Sequence, residues 1–292
     1  MTASFDCRVG EVRLRVLHWP GASERVPFLL LHGLASNARI WEAVAPHLAA
    51  AGHTTYAADL RGHGQSDAPE DGYDFAQVTA DVAGLAATLG LGRAVVAGHS
   101  WGGLVALDYA ASHPLGGLAL IDGGFTQLSD SPGATWEKVE AALRPPRLAG
   151  TPLAAFEARL EEAHPDWPSE VPWRDILLGN FEVRADGTIA PHLSFDHHML
   201  VVRAMWDFPT YERFGRISCP VLIVAARATG PLPRRDESYR EMKRRGEAEA
   251  RARMPQAKFV WMDETDHDIP LHRPAELARR MLDLAQRVEE GE

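Results

Sequence analysis

The sequence predicts an α/β fold: a mostly parallel, twisted sheet flanked by helices and interrupted by a mainly helical insertion. Short apolar runs of strand length alternate with helix-length segments over residues 26–121. That alternation stops at Phe125, and a stretch rich in proline and tryptophan runs to about Gly215. It resumes at Pro220 and continues to the final helix. The chain has 292 residues, 46% of them hydrophobic, which suits one large domain with an inserted subdomain around a sizeable core.

Residues 26–31, Val-Pro-Phe-Leu-Leu-Leu, form a short apolar run of the kind buried on both faces in a parallel sheet. Pro27 sits at its start, where a missing N–H is tolerated. A helix is expected near residues 38–51, a strand near 54–58, then a loop from Asp59 to Asp67. A helix over 75–89, a strand over 93–97, a helix over 104–111 and a strand over 118–121 complete the first half. Pro132, Pro145, Pro146, Pro152, Pro165, Pro168 and Pro172 then punctuate a segment too long for a structureless loop. It is read as a mainly helical cap, residues 125–215, leaving 1–124 and 216–292 as the core domain. Beyond it come a buried strand over 221–226, a charged helix over 237–253, a strand over 258–262 and a helix over 274–289. Pro274 suits the first turn of that last helix. The basic stretch 234–253 is interleaved with Glu237, Glu241, Glu247 and Glu249, so a solvated, ion-paired helix is expected.

Composition excludes several classes. A net charge of −10 argues against nucleic-acid binding. The two cysteines, Cys7 and Cys219, suit buried thiols in a reducing compartment better than a disulfide scaffold. Residues 1–12 lack the apolar stretch of a secretory signal, and no apolar run reaches the ~18 residues of a membrane-spanning helix. A soluble, cytoplasmic protein is expected.

The chemistry is carried by Gly98-His99-Ser100-Trp101-Gly102, a G-x-S-x-G motif between a strand ending at Ala97 and a helix from Leu104. A sharp turn there lifts the Ser100 hydroxyl clear of the sheet, and the helix N-terminus favours developing negative charge. A second element, His32-Gly33-Leu34, follows the apolar run ending at Leu31.

With these motifs the chain resembles the α/β-hydrolase superfamily, in the broad group with a cap inserted after the sixth strand. That group includes esterases, lactonases, carbon–carbon bond hydrolases, haloalkane dehalogenases and epoxide hydrolases. The resemblance covers the whole chain at the level of motif order. It implies the α/β-hydrolase fold, with Ser100 as nucleophile and no cofactor or metal. It also implies an oxyanion hole made by the backbone N–H groups of Leu34 and Trp101. The His32 side chain and the loop Asp59-Leu60-Arg61-Gly62-His63-Gly64 are taken as structural. The order serine, acid, histidine places the base in a late loop, where His267 lies within Glu264-Thr265-Asp266-His267-Asp268-Ile269-Pro270. His272, beside the final helix, is its nearest competitor.

The acid departs from the common pattern. Most of the superfamily carries an Asp after the strand that corresponds to residues 221–226, but here Arg227-Ala228-Thr229-Gly230-Pro231 follows. Some members place the acid after the sixth strand instead, and Asp122 stands there, before Gly123-Gly124. Asp122 is favoured over its reading as a turn former. Asp236 is the alternative and needs a longer loop excursion.

The expected activity is hydrolysis of a carboxylic ester or lactone through an acyl-serine intermediate. Carbon–carbon bond hydrolysis and a non-catalytic ligand-binding role are the alternatives. Dehalogenase and typical epoxide-hydrolase chemistry are disfavoured because those relatives carry Asp where this chain has Ser100. The expected partner is a small molecule with an apolar acyl or aromatic part. Trp136, Trp167, Trp173, Trp206, Phe156, Phe181, Phe195 and Phe208 are read mostly as cap core, with a few lining an apolar pocket. Trp101, beside the nucleophile, is placed to touch substrate. His197-His198-Met199 is expected to face the active site from the cap rather than hold a metal, because adjacent histidines diverge and no further ligand motif accompanies them.

Overall fold

The computed structural model describes residues 2–22, 24–131, 133–164, 167–227 and 237–292. The chain runs β1 (Ala3–Val9), β2 (Val12–Trp19), β3 (Phe28–Leu31), α1 (Ala45–Ala50), β4 (Thr55–Ala58), α2 (Phe75–Thr88), β5 (Val95–His99), α3 (Trp101–Ser112) and β6 (Gly117–Ile121). The inserted segment then holds α4 (Trp136–Leu143), β7 (Thr151–Pro152), α5 (Leu153–Ala163), α6 (Trp173–Leu178), β8 (Phe181–Val183), β9 (Thr188–Pro191), α7 (Phe195–Asp207) and α8 (Thr210–Phe214). Last come β10 (Val221–Arg227), α9 (Glu237–Arg253), β11 (Ala257–Asp263), α10 (Ile269–His272) and α11 (Pro274–Glu290).

Eight strands form one sheet in the order β1-β2-β4-β3-β5-β6-β10-β11. From β4 to β11 every neighbour is parallel, while β2 runs antiparallel to both β1 and β4. Helices cover both faces, so the central strands are buried on both sides. Phe28 to Leu31 are each fully buried, with Leu29 and Leu31 in one core and Phe28 and Leu30 in the other. Each such side chain contributes about 2 kcal/mol by leaving water.

Three local outcomes differ from the expectations. The helix foreseen over 38–51 is a 3-10 turn at Ala38–Trp41 followed by the short α1. Asn37 caps the turn through its side chain, and Pro46 opens α1, so the chain changes direction between them. The β1–β2 hairpin was not foreseen as a pair. Its signal is the strict alternation Val12-Arg13-Leu14-Arg15-Val16, and Gly10 closes the turn at φ +58°. The inserted segment is mainly helical, as expected, but β7, β9 and β8 form a small antiparallel sheet within it.

The charged helix α9 carries the expected exposed pairs, Glu247–Arg251 and Glu249–Arg253, at 2.8 Å. It is not fully solvated: Met242, Lys243, Gly246 and Ala250 are buried against the core. A periodicity reading finds Met242, Gly246 and Ala250 at i, i+4 and i+8, but it assigns a lysine to solvent by default. Cys7 is buried and Cys219 half-buried, and both are free thiols. Burial pushes the Cys219 thiol up to about 11. Among the described residues, no helix is long and apolar enough to cross a membrane.

Candidate active site

The site assembles at the carboxyl ends of the parallel strands, where an open α/β sheet leaves a crevice. Ser100 follows β5 and is the turn residue before α3, with φ 54° and ψ −121°. A non-glycine residue in that region is strained and persists only when its surroundings over-determine it. Here they do. A Cβ on Gly98 would stand 2.0 Å from the Gly102 carbonyl oxygen, and one on Gly102 would stand 2.4 Å from that of His32. Only glycine lets strand, turn and helix approach so closely. The Ser100 N–H also donates to the Ile121 carbonyl at 2.9 Å, anchoring the turn to the end of β6.

His267 lies in the loop between β11 and α10, and Asp122 directly follows β6. The His267 Nε2 is 2.9 Å from Ser100 Oγ, and Nδ1 is 2.7 Å from Asp122 Oδ2. The Asp122 side chain is fully buried, whereas that of His267 keeps 29% of its surface open. Burial alone would raise the Asp122 carboxyl. Hydrogen bonding and charge from His267, and then from Lys243, outweigh it and hold the group well below the usual carboxylate range. The ionised carboxylate accepts Nδ1–H, which leaves Nε2 as an acceptor for the Ser100 hydroxyl.

Asp122 itself has φ 44°, a left-handed conformation that Asp tolerates better than most residues. Its N–H donates to the Val224 carbonyl at 2.7 Å, and its Oδ1 accepts the Ala226 N–H at 2.8 Å. The neighbouring strand β10 thus fixes the carboxylate. Asp236 and the stretch Ala228-Thr229-Gly230-Pro231 lie outside the described residues. His272 does not reach Ser100: its Nδ1 sits 2.9 Å from Thr265 Oγ1 and braces the same loop.

The His32-Gly33-Leu34 turn passes directly beside Ser100, with a Cβ position on Gly33 only 3.1 Å from Ser100 Cβ. Trp101 opens α3, so its N–H is among the first of the helix and has no acceptor within it. The His32 imidazole is fully buried; it donates from Nδ1 to the Gly33 carbonyl at 2.7 Å and accepts the Leu60 N–H on Nε2 at 2.9 Å. Burial pushes its pKa down to about 4, so it is neutral near pH 7. In the following loop Asp59 accepts the Ala38 and Gln65 N–H groups, and Arg61 forms a buried pair with Asp81. Trp101 departs from its expected contact with substrate: its side chain is buried and stacks on His63 at 5.3 Å.

Sequence reasoning missed His99 and Lys243. The His99 Nε2–H donates to the His267 carbonyl at 2.9 Å, with the two ring centroids 4.8 Å apart. Burial, then the proximity of His267, pushes His99 down to about 4. The only available signal was its place inside the G-x-S-x-G turn. Lys243 donates to Asp122 Oδ1 at 2.6 Å, and no local pattern distinguishes it from the other cations of α9.

The inserted segment is tied to the core beside this crevice. Asn37 donates to the Ile176 carbonyl at 2.9 Å and Arg39 to that of Asp175 at 2.7 Å, tying α6 to the turn after β3. Trp167 Nε1 donates to Asp266 Oδ2 at 2.7 Å, beside His267. A cavity of about 410 Å³ lies between the segment and the core. Ala35, Ser36 and His63 line its core side, and Leu148, Phe181 and Phe195 its outer side, with Arg147 and Arg184 also in its wall. Trp167, Trp173, Phe156 and Phe208 are buried, while Trp136 packs against Trp206 at 6.2 Å. His198 lines the cavity and bonds to the Leu143 carbonyl at 3.0 Å, while His197 turns away to stack on Tyr73 at 4.3 Å.

Comparison with known proteins agrees with this architecture. Residues 28–280 match the family model described as "Alpha/beta hydrolase family", and the chain belongs to that family. The 2-(acetamidomethylene)succinate hydrolase of Mesorhizobium japonicum is 32% identical over 142 residues, which is 49% of this chain and 50% of that protein. Epoxide hydrolase A of Mycobacterium tuberculosis is 41% identical over 106 residues, 35% of this chain and 32% of the relative. These matches span half or less of the relatives' length. The crystal structure of E-2-(acetamidomethylene)succinate hydrolase superposes with a TM-score of 0.79, covering 98% of this chain and all of the other at 23% identity. That likeness extends the shared fold over nearly the whole chain.

Proposed function

We propose that this protein is a serine hydrolase that cleaves a carboxylic ester or lactone through an acyl-serine intermediate, with Ser100, His267 and Asp122 as its reacting unit. The observation that carries the proposal is the hydrogen-bonded run from Ser100 Oγ through His267 to Asp122 Oδ2, at 2.9 and 2.7 Å. Both contacts lie within the reach that proton transfer and tautomer control require.

In this mechanism Ser100 Oγ attacks the carbonyl carbon as its proton passes to His267 Nε2. Asp122 stays ionised and stabilises the imidazolium. The tetrahedral oxyanion faces the N–H groups of Leu34 and Trp101, and one such donor contributes about 3 kcal/mol. His267 returns the proton to the leaving alkoxide. Water then attacks the acyl-serine, giving its proton to His267 Nε2, which passes it to Ser100 Oγ as the acid departs. The chemistry uses no metal or cofactor. Residues 125–215 act as a cap on the core formed by 1–124 and 216–292. Phe181 and Phe195 offer apolar walls for the acyl or aromatic part of a small substrate.

The test compares wild type with Ser100→Ala on short p-nitrophenyl esters at neutral pH, with covalent labelling by a fluorophosphonate. Turnover in Ser100→Ala should fall on the order of a million-fold, and only the wild type should label. A labelled Ser100 without ester turnover would point to carbon–carbon bond hydrolysis. An unlabelled wild type would leave a ligand-binding protein.

A further inference from the structure

Lys243 sits on α9, a helix whose other basic residues lie at the surface, yet only 5% of its side chain is exposed. Its ammonium donates to Asp122 Oδ1 at 2.6 Å and to the Ala226 carbonyl at 2.9 Å. The Ala226 N–H reaches the same Oδ1 at 2.8 Å. Oδ2 is left for His267 Nδ1 at 2.7 Å. One buried carboxylate is therefore shared between an ammonium on one edge and the imidazole on the other. Burying an ammonium is costly, and α9 already has apolar anchors in Met242, Gly246 and Ala250.

Two consequences follow from the placement. Two donors on Oδ1 fix the rotation of the carboxylate, so Oδ2 always faces the imidazole. Charge acts as well. When His267 takes a proton, imidazolium and ammonium stand on opposite edges of the same carboxylate and repel each other. The ammonium thereby favours the neutral imidazole, the form able to accept the Ser100 proton.

Other titratable groups among the described residues flank these side chains. His99 faces His267 and is neutral near pH 7, and Asp268 lies 3.9 Å from its Nε2. Asp266 is bonded to Trp167, with the His164 ring tilted against that indole at 3.8 Å and His272 Nδ1 4.0 Å from the Asp266 carboxylate. Arg227 pairs with Asp263 at the exposed ends of β10 and β11, and the Tyr239 ring centroid lies 4.9 Å from the ammonium. Among the described residues, Lys243 alone brings a full positive charge into hydrogen-bonding contact with Asp122.

We propose that Lys243 is a positioning residue of the active site, which acts through the shared Asp122 carboxylate to orient His267 and to set the pH above which Ser100 is reactive. The proposal rests on the serine-hydrolase reading. Its test is the pH dependence of fluorophosphonate labelling of Ser100 in the full-length wild type, Lys243→Gln, Lys243→Met and Lys243→Arg, with folding checked by circular dichroism. Both neutral variants should move the half-maximal pH upward by about one unit. Below the midpoint they should label about tenfold more slowly than the wild type. Lys243→Arg keeps the charge and should hold the midpoint near that of the wild type.

An unchanged midpoint in the neutral variants, even with a lower plateau, would reduce Lys243 to a structural pin and overturn the proposal. If the neutral variants do not fold, a midpoint displaced by about a unit in Lys243→Arg overturns it equally. Failure of the wild type to label would remove the serine-hydrolase reading and the proposal with it. Labelling with an unmoved midpoint removes the proposal alone.

Discussion

Replacing Asp122 with asparagine perturbs the one side chain that holds partners on both of its edges. The substituted amide has two orientations. With its oxygen toward His267, the amide NH2 would face the Ala226 N–H and the Lys243 ammonium, donor against donor, at contacts now 2.8 and 2.6 Å long. With its oxygen toward those two donors, the NH2 instead donates to His267 Nδ1. The second orientation wins, because the first buries an ammonium against two further donors. It forces the imidazole proton onto Nε2, so His267 can no longer accept the proton of Ser100. The expected loss in kcat/KM on a p-nitrophenyl ester is about 10⁴-fold, equivalent to about 5 kcal/mol. A fold cost of about 3 kcal/mol accompanies it, because the buried Lys243 then faces a neutral amide. Steady-state kinetics and a urea titration read the two effects separately. Activity within tenfold of wild type in folded Asp122→Asn would refute the reasoning and transfer the acid to another residue.

Two further outcomes are expected. His32, His63 and His99 are buried and held below their ordinary values, chiefly by desolvation. The unfolded chain therefore takes up protons below about pH 6.5 that the folded chain refuses. Stability is full above that pH and is lost as pH falls toward about 4, with His32 alone costing about 2–3 kcal/mol at pH 4.5. Buried Asp59, whose carboxyl is pushed up mainly by burial, works in the opposite direction and offsets part of this. Urea midpoints that match at pH 7 and pH 4.5 would contradict the assignment. In the second case, Arg61→Met breaks a pair whose side chains are each 4% exposed and should cost about 3–5 kcal/mol. Arg203→Met breaks a pair with both side chains 54% exposed and should cost less than about 1 kcal/mol. Thermal unfolding of the two variants side by side decides whether burial sets the difference.

The sequence by itself determined the parallel sheet, because buried strands such as Phe28–Leu31 need continuous apolar runs and the helices between them need length. It also located the Ser100 turn, since only glycine at 98 and 102 permits that close approach, and it placed His267 in the last loop before the final helices. It left Asp122 and Asp236 open as the acid. The sheet order, which sets β10 beside β6, is what brings Asp122 within 2.7 Å of the imidazole from the strand next to β5. The three short strands of the insertion were legible only weakly, because strands of two to four residues give too few periods to count. His99 and Lys243 were decided by tertiary structure alone. A histidine within the serine turn and a lysine on a charged helix carry no local mark of burial. The desolvation that makes them informative arises only when β11, α9 and the end of β6 are packed together.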